Sequence, residues 1–159
     1  MALVLLLLAA LTAFGQEHRC AACHQDAVTD FQTHKHAKSN MDCGICHGPS
    51  DKHRTSVGNV PPDRVAAPDE VAKLCGNCHL AEKQQYESSP HAGAKKAKTP
   101  NCNTCHGHHA LRAWTAQVEN CQRCHTELPA SCKAKPVSVN SRVACMSCHA
   151  RHTLAVSSR

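Results

Sequence analysis

The pentapeptide Cys-x-x-Cys-His occurs six times in this chain, at 20–24, 43–47, 75–79, 102–106, 121–125 and 145–149. In a helical turn, residues i, i+3 and i+4 lie on one face, so the two thiols and the imidazole of each motif project together. That arrangement allows two thioether bonds to the vinyl groups of a haem and one bond from the imidazole to its iron. We therefore predict six covalently attached c-type haems.

The motifs account for all but one of the 13 cysteines. The predicted attachment residues are Cys20, Cys23, Cys43, Cys46, Cys75, Cys78, Cys102, Cys105, Cys121, Cys124, Cys145 and Cys148. The predicted proximal iron ligands are His24, His47, His79, His106, His125 and His149. Zinc knuckles and disulfide pairs also use paired cysteines, but neither requires a histidine directly after every second cysteine.

The motifs form three two-haem repeats, at 20–53, 75–109 and 121–152, which indicates internal duplication. Further histidines recur in register: His36 and His91 lie twelve residues after the first motif histidine of their repeats. His109 and His152 lie three residues after the second motif histidine, and His53 lies six after it. We predict these five as distal ligands. An imidazole on each face gives a low-spin iron that changes little in geometry on reduction, as an electron carrier requires.

The third repeat departs from this pattern, because Val137 stands twelve residues after His125. The sixth distal ligand must come from His18, His34, His108 or Cys132, from a neighbouring subunit, or from nowhere. An empty position would permit catalysis, and a ligand from another subunit would imply a polymer. Cys132, the cysteine outside the motifs, has three interpretations: a free thiol, an intermolecular disulfide or a haem ligand.

The N-terminal segment predicts export. Residues 2–14 are apolar or small apart from Thr12, which fits a signal-peptide core and is too short to cross a bilayer as a helix. Ala13 and Gly15 suit the positions before a cut, so we predict a cleaved signal peptide over 1–15 and a single hexahaem domain over 16–159. A retained interfacial anchor is the alternative. Export fits covalent haem attachment, and a periplasmic or extracellular location is expected.

The composition predicts a fold that depends on its cofactors. Phe31, Tyr86 and Trp114 are the aromatic residues beyond the leader, and the apolar residues are mostly Ala and Val. We therefore expect a mostly irregular, haem-cored fold with short α-helices, little or no β-sheet, and an apoprotein that is largely unfolded. Residues 26–39 and 68–88 are predicted helices, and 54–67, with Pro61 and Pro62, a linker.

The formal charge of +6 would suit nucleic acid or an anionic membrane. Six haems would add about twelve propionate charges and one positive charge per ferric iron, which brings the oxidised protein to about zero. We therefore expect no nucleic-acid partner and no membrane span. Lys95, Lys96 and Lys98 form the densest basic cluster, either a solvated loop or a docking patch for an acidic redox partner.

Two stretches carry a family resemblance. The first stretch, residues 36–53, resembles the repeat of periplasmic decahaem cytochromes that feed extracellular electron transfer; its sequence is HAKSNMDCGICHGPSDKH. The second stretch, residues 86–109, has the sequence YESSPHAGAKKAKTPNCNTCHGHH. It resembles units of other multihaem carriers, in which the early histidine and the one just after the motif are distal ligands. The resemblance to multihaem c-type cytochromes with doubled motifs implies stacked and T-shaped haem pairs, low potentials, and electron transfer to protein or mineral acceptors.

Two classes of function follow. The leading hypothesis is an electron carrier, either a soluble shuttle, a subunit of a redox complex, or a filament protomer whose end haems stack on those of the next copy. The alternative is a redox enzyme for nitrite, hydroxylamine or a sulfur oxyanion, which needs one haem that is open or ligated by Cys132. A structural zinc protein is a third interpretation.

Overall fold

The computed structural model describes residues 19–93, 99–113, 120–127, 130–133, 138–139, 142–143 and 145–156. The leader, His18, the basic cluster at 95–98, Trp114 and Val137 lie outside these residues. The described chain forms short helices joined by irregular segments: α1 Gln25–Gln32, α2 Lys35–Lys38, α3 Cys43–His47, α4 Asp51–Thr55, α5 Val71–Gly76, α6 Leu80–Glu87, α7 Pro90–Gly93, α8 Cys102–His106 and α9 Ala130–Lys133. Strands β1 Ser138–Val139 and β2 Arg142–Val143 pair antiparallel, and Cys145–Ser147 is a 3₁₀ turn.

All six motifs form helical turns, which confirms the geometry expected from their spacing. Motifs 43–47 and 102–106 are α3 and α8. In the other motifs the amide of the histidine donates to the carbonyl of the first cysteine, at 2.8–3.0 Å. Each motif therefore presents its two thiols and its imidazole on one side of a single turn.

Helices α3 and α8 have the same local design. Asp42 and Asn101 precede them and accept hydrogen bonds from the amides of Ile45 and Thr104, which is N-capping. Glycine follows each motif histidine with a positive φ, +74° at Gly48. The last motif has alanine before and after it. There the turn is 3₁₀ rather than α.

Two helix predictions were wrong in extent. The segment 26–39 is divided because His34 is extended, with φ −73° and ψ 147°, and caps α2. The segment 68–88 is divided at the motif histidine His79, with φ −100° and ψ 57°. In both segments the helix is interrupted at a histidine whose backbone lies outside the α region.

The chain forms two compact units, one of residues 1–66 with 108–111 and the other of 67–107 with 112–159. In the first unit α1 contacts α2, and in the second α5 contacts both α6 and α8. Among the described residues, Val28 and Val71 are the buried hydrophobic side chains. Large apolar side chains such as Val57 and Val156 are 80% and 70% exposed. The expected irregular fold with short helices and very little strand is confirmed. No helix in the described part of the chain has the length and apolar character to span a membrane.

Candidate haem-binding site

The first cysteines of the two motifs in each repeat are neighbours. Burial, followed by the adjacent Cys20 thiol, raises the pKa of Cys43 to about 11. A hydrogen bond with Cys75 lowers the pKa of Cys102 to about 7. In the third repeat, burial and then Cys145 raise the pKa of Cys121 to about 11. These values concern free thiols, before any thioether forms. The sulfur contacts show that both motifs of a repeat direct their attachment sites toward the same place.

Four motif histidines face a second histidine ring at nearly one distance. The ring centroids are 5.9 Å apart for His24 and His53, 6.1 Å for His47 and His109, 6.1 Å for His91 and His125, and 6.0 Å for His106 and His152. Direct ring stacking does not require so uniform a distance across interplanar angles from 15° to 47°. Two imidazole nitrogens bound about 2 Å from one metal on opposite sides place their ring centroids about 6 Å apart.

These pairs fit a haem iron, and the donors fit haem rather than zinc. Each pair consists of one motif histidine, which adjoins two cysteines in the same turn, and one histidine from elsewhere in the chain. Within the described residues, no group of three or more His, Cys, Asp or Glu side chains converges on one point. The residues present therefore suit two thioether links and two axial imidazoles.

Backbone carbonyls orient several of these rings. Nδ1 of His47 lies 3.0 Å from the carbonyl oxygen of Arg64, and Nδ1 of His53 lies 2.7 Å from that of Val60. Nδ1 of His149 lies 2.9 Å from the carbonyl oxygen of Leu154. A protonated Nδ1 that donates to a carbonyl leaves Nε2 with its lone pair available for a metal. Such bonds fix both the tautomer and the direction of the ring.

The segment predicted as a linker supports the second motif. Arg64 donates through Nε to the carbonyl of Cys46 at 2.6 Å and through Nη2 to that of Ile45 at 2.7 Å, which satisfies the C-terminal carbonyls of α3. The Ser50 amide donates to Asp63 Oδ2 at 2.8 Å, and the Asp63 amide donates to Ser50 Oγ at 3.1 Å. The segment therefore returns to α3 and holds His47 in place.

The paired rings in the second unit are also positioned locally. His91 lies on α7, just after Ser89, which is 4% exposed and whose hydroxyl accepts from the Ala92 amide at 3.4 Å. His152 has a left-handed backbone, with φ +63°, and Nδ1 of its ring lies 3.3 Å from Oε1 of Gln85. A left-handed conformation in a residue other than glycine is uncommon and is often found at functional sites.

Burial favours the neutral form of three of these imidazoles. It is the largest cause that lowers the pKa of His91, His106 and His109. The facing histidine lowers the pKa further in each case: His125 for His91, His152 for His106, and His47, after His108, for His109. A neutral imidazole is the form that binds a metal.

Three further candidate ligands, His34, His108 and Cys132, have other neighbours. His34 is 6% exposed, its Nδ1 accepts from the His36 amide at 3.0 Å, and its ring lies 4.5 Å from that of His36. His108 is exposed and meets His109 edge to face. Cys132 lies on α9, partly exposed. Among the described residues, no second histidine ring faces His149.

Sequence reasoning missed the supporting residues Arg64, Asp63 and Ser50. Gly48 is the sequence feature related to them, because in the structure a Cβ at this position would lie 2.9 Å from Cβ of Asp63. The charge and polarity of the three residues are ordinary for a surface loop. Their role depends on a chain reversal that the local pattern does not encode.

Helical-turn Cys-x-x-Cys-His motifs and imidazole pairs about 6 Å apart are features expected of a multihaem c-type cytochrome. Residues 29–107 match the family described as cytochrome c7 and related cytochrome c. The match includes the motifs at 43–47, 75–79 and 102–106. This is a family of periplasmic or extracellular multihaem electron carriers with covalently bound haem c. Neither the curated proteins nor the solved structures contain a significant match to the chain.

Proposed function

We propose that this protein is an exported hexahaem electron carrier. The observation that carries the proposal is the set of four motif histidines, each with a second imidazole at 5.9–6.1 Å. An iron enclosed by two imidazoles has no open coordination site for a substrate, and its geometry changes little on reduction. The family match over residues 29–107 supports the same class of function.

In this proposal, the paired cysteines of each motif fix one haem c, the motif histidine is the proximal ligand, and the facing histidine is the distal ligand. Haem c, when bound, supplies a one-electron couple between ferric and ferrous iron. The polypeptide supplies the ligands and holds their rings through bonds such as that from His47 to the Arg64 carbonyl. The sulfur contacts between Cys20 and Cys43, and between their equivalents, support close pairs of cofactors, as rapid transfer between sites requires.

One observation favours a second candidate function. His149 lacks a facing histidine among the described residues, although its Nδ1 is bonded to the Leu154 carbonyl as in the other oriented rings. An iron bound there with a free distal side could act on a small oxyanion, which is the redox-enzyme alternative. The distal side could instead be closed by a ligand such as His18 or by another copy of the chain.

The mass and spectrum of the exported protein test the leading proposal. The intact protein should exceed its polypeptide mass by roughly 3.7 kDa, corresponding to six covalent haems, and the reduced protein should show the sharp absorption bands of low-spin haem c. The paired substitution Cys43→Ser and Cys46→Ser should remove one haem equivalent of mass. A protein without added mass would refute the proposal.

Carbon monoxide binding to the reduced protein separates the two candidates. A carrier with six enclosed irons should bind none, whereas the enzyme alternative requires one equivalent. His149→Ala provides the matched test. If the open site belongs to the haem of motif 145–149, removing its proximal ligand should change the spectrum of its carbon monoxide complex.

Electron microscopy of the oxidised protein addresses the filament form: regular fibres support an end-to-end homopolymer, and a monodisperse monomer supports the shuttle.

A further inference from the structure

We infer that distal ligands are exchanged between the sequence repeats. His91 of the second repeat would serve the iron of motif 121–125, His109 of the second repeat the iron of motif 43–47, and His152 of the third repeat the iron of motif 102–106. The inference rests on the proposed function and adds to it the identity of the iron that each histidine serves. The recurring offsets alone would assign each of these histidines to its own repeat.

Ring geometry carries the inference. The three exchanged pairs have centroid distances of 6.0–6.1 Å, against 5.9 Å for His24 and His53, which lie in one repeat. Two other pairs of neighbouring rings lie closer together: His34 and His36 are 4.5 Å apart, and His108 and His109 are 4.9 Å apart. A gap near 6 Å is wide enough for a metal, whereas a gap below 5 Å is not, given metal–nitrogen bonds of about 2 Å.

The composition of the two compact units agrees with the exchange. Residues 108–111 group with the first unit, although the chain on both sides of them groups with the second. Within that first unit, His109 faces His47. The segment leaves its own repeat and supplies a ligand to a motif more than fifty residues earlier in the chain.

The exchange also changes which iron of the third repeat lacks a distal histidine. Val137 occupies the position where a distal histidine was expected, and the ring that faces His125 belongs to His91. Short helix α7, anchored by buried Ser89, brings His91 to that place. The iron of motif 121–125 therefore needs no ligand from Cys132 or from a second copy of the chain.

Carbon monoxide titration in backgrounds that lack one haem identifies the iron served by His91. His91→Ala in the hexahaem protein should add one carbon monoxide equivalent to the parent value. The same change should add one in a background with Cys75→Ser and Cys78→Ser, and none in a background with Cys121→Ser and Cys124→Ser. The reverse pattern in the two backgrounds would overturn the inference. His108→Ala is the matched control and should add none.

Nuclear magnetic resonance of the reduced His91→Met protein tests the same point with all haems present, in case a haem-deleted background fails to fold. The methyl group of the introduced methionine should show nuclear Overhauser contacts to the haem that is attached through Cys121 and Cys124. Contacts to the haem attached at Cys75 and Cys78 would refute the assignment. Both outcomes presuppose six haems, so a haem count below six would count against the proposed function and not against this ligand assignment.

Discussion

The glycine after the second motif offers a quantitative test of how the chain holds His47. Gly48 has φ +74° and ψ 177°, a region that is essentially limited to glycine. A Cβ there would lie 2.9 Å from Cβ of Asp63, closer than normal packing permits. Backbone strain of about 1–3 kcal/mol and a weakened hydrogen bond of about 1 kcal/mol from the Ser50 amide to Asp63 should together cost about 2–4 kcal/mol in Gly48→Ala.

Native-state hydrogen exchange measures this cost locally. The amides of Ser50 and Arg64 donate to Asp63 Oδ2 and to the His47 carbonyl in the wild-type protein. A loss of about 2–4 kcal/mol corresponds to about 30- to 900-fold less protection at these two amides. Gly93→Ala is the control, because no atom lies within 4 Å of a Cβ at that position. The reasoning fails if Gly48→Ala keeps its protection within about twofold of wild type, or if Gly93→Ala loses as much.

Three further predictions follow from particular contacts. Arg64→Ala should lower local stability by about 1–2 kcal/mol in the same exchange measurement, because two carbonyls at the end of α3 lose their hydrogen-bond donor. Arg64→Lys should restore only part of this stability, since a lysine ammonium cannot reproduce the two parallel hydrogen bonds of a guanidinium. Burial raises the pKa of Tyr86, so its contribution to stability should persist below about pH 10 and disappear as the pH rises through the folded-state pKa. Ultraviolet titration of this single tyrosine checks it, and Tyr86→Phe should abolish the step. Polypeptide produced without haem attachment should lose most of its helical circular dichroism. Burial of Val28 and Val71 stabilises the fold by only about 2–3 kcal/mol each, whereas ordering the backbone costs about 1–2 kcal/mol for every residue. Retained helicity would contradict this prediction.

The sequence predicted the local geometry of the motifs because each motif lies within one helical turn. Thiol and imidazole positions in Cys43–His47 follow from spacing alone, and the capping residues Asp42 and Gly48 are adjacent in sequence. The expectation of a small apolar core was likewise accessible from composition, and the burial of only Val28 and Val71 among the described residues agrees with it. Local rules sufficed wherever the determining contacts span a few residues.

Other features depend on contacts between distant segments and could not be derived. The helix breaks at His34 and His79 were not predicted from the sequence. The offset rule recovered the histidines that face motif rings but carried no information on partners, since a distance of twelve residues says nothing about which ring lies opposite. Arg64 was hidden for the same reason: its role exists only once 54–67 folds back onto α3.

Two kinds of contact therefore organise the chain at different ranges. Cysteine contacts such as Cys20 with Cys43 lie within a repeat, so the spacing of about 25 residues between motifs is the feature that duplication preserved. Facing histidines such as His91 and His125 join different repeats, and Cys105 also influences the thiol of Cys121 across that boundary. A chain with so little buried apolar surface gains most from links that close long loops, because such links remove the most entropy from the unfolded state. Ligand exchange would thus stabilise the fold and bring neighbouring redox sites together through the same bonds, so a repeat expressed alone should lack both.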